Sequence, residues 1–274
     1  MNTFIDLLNF FLPVLYIVTF IIYSYDFAKG NNKYANSKRL FLFITLLLHI
    51  CYLLLRTINF NHPPITNVFE IFTIMAFAIS FSYFVLELLT DIRGTGPFII
   101  IFSIFFQILS TLNIPDEFFV KEVLKNNLLG FHVFTALVGY SAITVSAVYG
   151  FLYLMLYKEI KTNRFGLIYE RMPSLEILER LSFISSVIGF FMLTIAIVIG
   201  LIWLPTAFPK FSYGDPKLIG TSLVWILYGI GILSKVLGKW QGKKVVTLSI
   251  IGFLIAILST AISNFISQSF HSFY

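Results

Sequence analysis

Only one cysteine, Cys51, occurs in 274 residues, so neither a disulfide within the chain nor a CxxC thiol relay can form. Cys51 falls in an apolar run and is expected to pack there as a small apolar residue. Charge is equally scarce. Asp, Glu, Lys and Arg make up 12% of the chain, where soluble domains carry about a quarter, and this points to a membrane protein. There is no HExxH pair and no cysteine cluster, so a zinc enzyme lacks its ligand set. "RGTGP" at 93–97 has no following Gly-Lys-Ser/Thr and reads as a tight turn, not a phosphate loop. No basic stripe is interleaved with aromatic residues, which argues against nucleic acid as a partner. The opening "MNTFIDLLNF" lacks a basic n-region and carries Asp6, so it reads as the run-in to a retained first span.

What is abundant is apolar. Hydrophobic residues are 58% and aromatic residues 18% of the chain, with 32 Phe and 14 Tyr. Runs such as "LFLFITLLL" and "FMLTIAIVIGLIWL" are apolar on all sides, whereas membrane strands alternate; an isolated lipid-facing segment satisfies its backbone only as a helix. Runs near 4–23, 40–58, 68–88, 97–112, 127–157, 181–204, 218–238 and 245–265 predict an all-α, polytopic membrane protein with eight transmembrane helices. They form one integral-membrane domain over 1–274, with membrane lipid as its surroundings. The fourth run is short; the fifth is long enough that it must tilt or protrude.

Of 19 Lys and Arg residues, 14 fall on one side of an eight-span path. They are Lys29, Lys33, Lys38 and Arg39; Arg93; Lys158, Lys161, Arg164, Arg171 and Arg180; and Lys235, Lys239, Lys243 and Lys244. By the positive-inside rule that side is cytoplasmic, which puts both termini on the outer side. The net charge of +6 is then a topology signal. The outer segments are 59–67, 113–126, 205–217 and the tail after 265. They place His62 in an outer loop, His132 near the outer end of the fifth span and His271 after the last; His49 alone lies at mid-membrane depth.

Neutral imidazole is a common ligand for transition metals, and two histidines on facing helices can hold a haem iron from both sides. Phe131, Phe270 and Phe273 neighbour two of the candidates and suit the walls of a porphyrin slot. The plain alternative is an amphipathic histidine at headgroup depth. For His49 the alternatives are ligation of a second haem and a hydrogen bond between helices. Asn67-x-x-Glu70 fits a capping box opening the third span, against a contact of Glu70 with a haem-associated cation. Asp215-Pro216 fits the start of the seventh. A small-molecule permease would need polar groups at the midplane of several spans, and His49 is the one that stands out.

Five stretches in order, from about residue 50 to the end, carry a resemblance: "NHPPITNVFE", "FHVFTALVGYSAITVSAVYGFLYL", "MPSLEILERLSFISSVIGFFMLTIAIVIGLIW", "DPKLIGTSLVWILYGI" and "FHSFY". Together they resemble the cytochrome c assembly family of haem-handling membrane proteins, the group that includes CcsA and HemX. The resemblance implies that His132 and His271 are the axial ligands of a non-covalently held haem b. His62 is the spare ligand on the same face, and Trp203, Phe208 and Asp215 belong to the haem-handling loop. It also implies a second membrane subunit of a cytochrome c assembly system and an apocytochrome c as partners, in a bacterial-type cytoplasmic (inner) membrane.

The chain departs from the family pattern in two places. The family's loop is rich in tryptophan and ends in Trp-Asp-Pro-Lys. Here "WLPTAFPKFSYGDPK" keeps Trp203 and Asp215-Pro216-Lys217 but has Phe208, Ser212 and Gly214 between them. A tryptophan offers a porphyrin a large face and an N–H; Phe208 keeps part of that face, Ser212 and Gly214 none. Leu233 stands where synthase-type members carry a membrane-embedded histidine. These differences point away from a full haem lyase. The first expectation is therefore a haem-binding membrane protein of cytochrome c biogenesis, holding or delivering haem at the outer face. It would be a component of a haem lyase system and not an enzyme by itself, since the thioether chemistry belongs to haem vinyls and cytochrome cysteines. The alternative is a HemX-like regulator of the level of a haem-biosynthetic enzyme, acting through the basic loops, especially 158–180.

Overall fold

A computed structural model describes residues 2–30, 35–92, 94–115, 126–207 and 213–265. The described residues form nine α-helices and no strand: α1 (Asn2–Lys29), α2 (Ala35–Phe60), α3 (Val68–Thr90), α4 (Gly96–Asn113), α5 (Asn127–Lys161), α6 (Leu167–Arg171), α7 (Leu175–Ala207), α8 (Pro216–Val236) and α9 (Lys243–Phe265). All but the five-residue α6 are long and apolar enough to cross a membrane, eight in total, and the protein is a multi-pass membrane protein.

Most helices outrun the apolar runs that announce them. Helix α2 opens at Ala35 and α7 at Leu175, each more than a turn before its run, because hydropathy registers only the bilayer core. The backbone goes on bonding to itself through interfacial residues such as Lys38 and Arg39. Helix α4, with 18 residues, measures about 27 Å and barely spans, while α5, with 35, reaches about 50 Å. Asn67 caps α3 by accepting from Glu70 N, and Asp215 caps α8 by accepting from Lys217 N, with Pro216 in the first turn.

The chain divides into two compact units, 1–125 with 159–173, and 126–158 with 174–274. In the first, α1 packs on α2 and α4, and α3 on α4, around a core that includes Ile5, Leu8, Leu12 and Tyr52. Residues 159–173 belong to this unit: Arg171 lies against Gly30 (φ +62°) and Gly94 (φ +94°), where any side chain would collide with it. The second unit centres on Ile143, Leu193, Val224, Tyr228 and Ala256.

Two sequence expectations need correction. Cys51 is in a span but exposed on the surface of α2 and not in the packing. Nor is His49 alone as an interior polar group. Thr19, Thr45, Thr73, Ser80, Ser103 and Gln107 are all buried in the first unit, each on a helix whose overall hydropathy conceals it.

Candidate functional site

Helices α5 and α7 of the second unit meet along a seam to which each contributes every seventh residue. His132 meets Ala196, Gly139 meets Gly189, and Ser146 meets Ser182: seven forward on α5 is seven back on α7. Seven residues are two turns, which return an antiparallel pair to nearly the same face. The middle step is the tightest. A Cβ on Gly189 would stand 3.2 Å from the Gly139 carbonyl oxygen, and one on Gly139 would stand 2.9 Å from Leu193 Cδ2. At the third step Ser146 Oγ donates to the Ser182 carbonyl at 2.7 Å and Ser182 Oγ returns the bond at 2.9 Å. Inside a membrane such small and hydroxylated residues supply the close packing that the hydrophobic effect does not.

The first step positions the candidate ligand. His132 Nδ1 is 2.9 Å from the Ala196 carbonyl oxygen, which can only accept, so Nδ1 carries the proton. The Nε2 lone pair is left available, and Nε2 makes no hydrogen bond to the described residues. The ring is half-buried. A neutral imidazole fixed through Nδ1–H to a carbonyl is the arrangement of a metal-ligating histidine, so this residue fits a haem iron.

The α8 corner approaches the same residue. Asp215 is buried at the helix start, and the Lys217 ammonium acts electrostatically on both Asp215 and His132. Trp203 is half-buried and continues the α7 line Ser182, Gly189, Ala196 by one more step of seven. Tyr140 of α5 and Thr221 of α8 share a 2.8 Å hydrogen bond, and Trp225 Nε1–H donates to Thr194 of α7 at 2.7 Å. Phe208 and His271 lie outside the described residues.

The remaining histidines belong to the first unit. His62 is buried, with Nδ1 2.9 Å from the Pro63 carbonyl oxygen and its ring beside Phe60. His49 has both ring nitrogens engaged, Nδ1 with Tyr16 at 2.9 Å and Nε2 with Thr73 at 3.0 Å. The cation beside Glu70 is Arg56, at 3.1 Å. Asn67 accepts as a capping box requires, but the Glu70 carboxylate returns to Thr66 N and Oγ1, both at 2.8 Å, and not to the cap itself. Sequence reasoning missed Ala196 and Lys217 as neighbours of His132. A backbone carbonyl leaves no signal in sequence, whereas Lys217 sits beside the Asp215-Pro216 pair that drew attention.

Because the glycine pair sets the helix spacing, Gly139→Val should overpack against Leu193 and cost about 1–3 kcal/mol. Thermal unfolding in detergent checks this, with Gly130→Ala as control, since nothing lies within 4 Å of a Cβ there. Equal melting of the two variants would show that the seam tolerates a wider spacing.

The chain matches the family described as "Cytochrome C assembly protein" over residues 34–271. It belongs to that family. Among relatives, the "Cytochrome c biogenesis protein CcsA" of Guillardia theta is 25% identical over 237 residues, 80% of this chain and 79% of that protein. The protein of the same name from Mesostigma viride is 25% identical over 285 residues, 94% of this chain and 93% of its own. "Protein HemX" of Bacillus subtilis (strain 168) is 25% identical over 267 residues, 95% of each. The family match takes in α2 to α9, and with them the α5–α7 seam and the α8 corner.

Proposed function

We propose that this member of the cytochrome c assembly family works in cytochrome c biogenesis by holding or delivering haem b at the outer membrane face, with His132 and His271 as axial ligands. The observation that carries the reading is the Nδ1–H bond from His132 to Ala196, which orients an available Nε2 lone pair. Bound haem would supply an iron that takes one imidazole on each side. The chain's own residues do the rest. Ala196 fixes the tautomer of His132, the glycine seam holds the ring in place, and Lys217 puts a cation beside it that suits the carboxylate-bearing edge of a porphyrin. Trp203, Phe208 and Asp215 form the haem-facing loop on this reading, and His62 is the reserve ligand. The membrane is a bacterial-type inner membrane, with both termini outside, and the partners are a second membrane assembly subunit and an apocytochrome c.

Deleting the gene should abolish haem-stained c-type cytochromes, and the wild-type chain should restore them. The second reading is a HemX-like regulator. It is favoured by the HemX relative and by the basic segment 159–173, which α6 and Arg171 anchor on the first unit while Phe165 and Tyr169 stay exposed. Unchanged c-type cytochromes with a raised level of a haem-biosynthetic enzyme would replace the first reading by this one.

A further inference from the structure

We propose that the turn joining α8 to α9 binds the headgroup of an anionic phospholipid through Lys239, Lys243 and Lys244. This inference is independent of haem.

The spanning stretch of α8 ends at Val236 and that of α9 begins at Lys243, so residues 237–242 alone make the turn. So short a connection keeps its side chains at headgroup depth. From 235 to 244 the chain reads "KVLGKWQGKK", four lysines and no acid. By contrast the basic segment 158–170 carries Glu159 and Glu170 among its three cations Lys158, Lys161 and Arg164. One carboxylate does reach the turn from α7, and it is already engaged. Glu179 Oε1 pairs with Lys235 at 2.6 Å, and Oε2 accepts from Gly242 N at 2.8 Å. Among the described residues Lys239, Lys243 and Lys244 have no ion pair. Lys243 stands 5.9 Å from the centre of the Tyr157 ring, and Lys244 5.9 Å from that of Trp240. Such contacts at exposed side chains are weak, and they leave the ammonium protons available to phosphate oxygens.

The placement of these cations is unfavourable without a counter-charge. Lys243 and Lys244 open α9, whose first turn has no acid, at the end where the peptide dipoles already disfavour a cation. A phosphodiester anion between the lysine side chains offsets both that cost and their mutual repulsion.

The backbone of the turn is held from several sides. Gly242 has φ +62°, and a Cβ there would stand 2.9 Å from Tyr153 Oη, so the chain passes close against α5 while Glu179 ties it to α7. Trp240 N donates to the Ser234 carbonyl at 3.0 Å, which closes the end of α8 with Lys239 in the left-handed region at φ +54°. Just before the lysines, Val236 and Leu237 are exposed and apolar, and Trp240 is partly exposed between Lys239 and Lys243. Apolar side chains, an interfacial indole and then ammonium groups match a phospholipid taken from acyl chain to phosphate. The positive-inside rule asks only for cations. It does not ask for a carboxylate that fixes the turn or a tryptophan set among the lysines.

The test titrates the full chain in detergent with phosphatidylglycerol or with phosphatidylcholine of the same acyl chains, and counts bound lipid by native mass spectrometry. Wild type should hold phosphatidylglycerol at a concentration at least about fivefold lower, the gain that one lysine near an anionic surface supplies. The triple variant Lys239→Gln, Lys243→Gln, Lys244→Gln should bind the two lipids alike. Arginine at the same three positions should keep the preference, which ties the loss to charge and not to unfolding. Removing as many cations elsewhere, with Lys158→Gln, Lys161→Gln and Arg164→Gln, should also keep it. Equal binding of the two lipids by wild type, a preference that survives the three glutamines, or one that is lost in the arginine or the 158–164 variant would each overturn the proposal.

Discussion

Replacing His132 with alanine is expected to convert a low-spin haem spectrum to high spin or to release the haem. An axial bond needs a lone pair that alanine lacks, and the bond from Nδ1 to Ala196 dedicates this imidazole's Nε2 to that use. Added imidazole should restore the low-spin spectrum in His132→Ala if the cavity persists, which separates a lost ligand from a collapsed site. His271→Ala should behave alike, as the second ligand of the same iron. His49→Ala should leave the spectrum intact, since both nitrogens of His49 are already engaged by Tyr16 and Thr73. If His132→Ala keeps the wild-type spectrum and His62→Ala loses it, the ligand assignment fails while the haem reading stands. If protein from haem-replete cells has no Soret band, haem itself is ruled out and the regulator reading moves ahead.

The largest stability change should come from the ion pair beneath the His62 loop. Arg56 and Glu70 are both buried, 3.1 Å apart. Arg56 also donates to the Pro115 carbonyl at 2.5 Å and lies 4.6 Å above the Phe60 ring, and Glu70 holds Thr66 through two bonds. Removing one partner leaves the other charge buried without compensation, at a cost of about 3–5 kcal/mol. Glu70→Gln should therefore lower the melting temperature in detergent sharply. Adding Arg56→Met should recover much of the loss, because two neutral residues of similar size no longer require desolvating a lone charge. A single variant that melts like wild type, or a double variant no better than the single, would show that Arg56 reaches water.

The two helix starts at Asn67 and Asp215 were legible because capping is local: a side chain two or three residues away satisfies the exposed N–H groups. Helix α6 was not legible. Five residues carry no periodicity, and its place depends on Arg171 fitting against two glycines far away in sequence.

The candidate site divides in the same way. His132 stood out as one of four histidines, near the end of an apolar span. Nothing near it in sequence shows that Ala196 holds its ring or that Lys217 lies close, since those residues follow 64 and 85 positions later (196 − 132 and 217 − 132). Single serines and threonines barely alter the hydropathy of a span, so the polar interior of the first unit is invisible until four helices bring them together.

By itself, then, the sequence determined the helices and their bilayer-spanning lengths, because apolar length and backbone self-satisfaction are properties of each segment alone. Only the tertiary structure decided which helices share a seam, which nitrogen of His132 is available and which buried charges are paired. Those outcomes depend on groups distant in the chain meeting within hydrogen-bonding distance, and composition contains no record of distance.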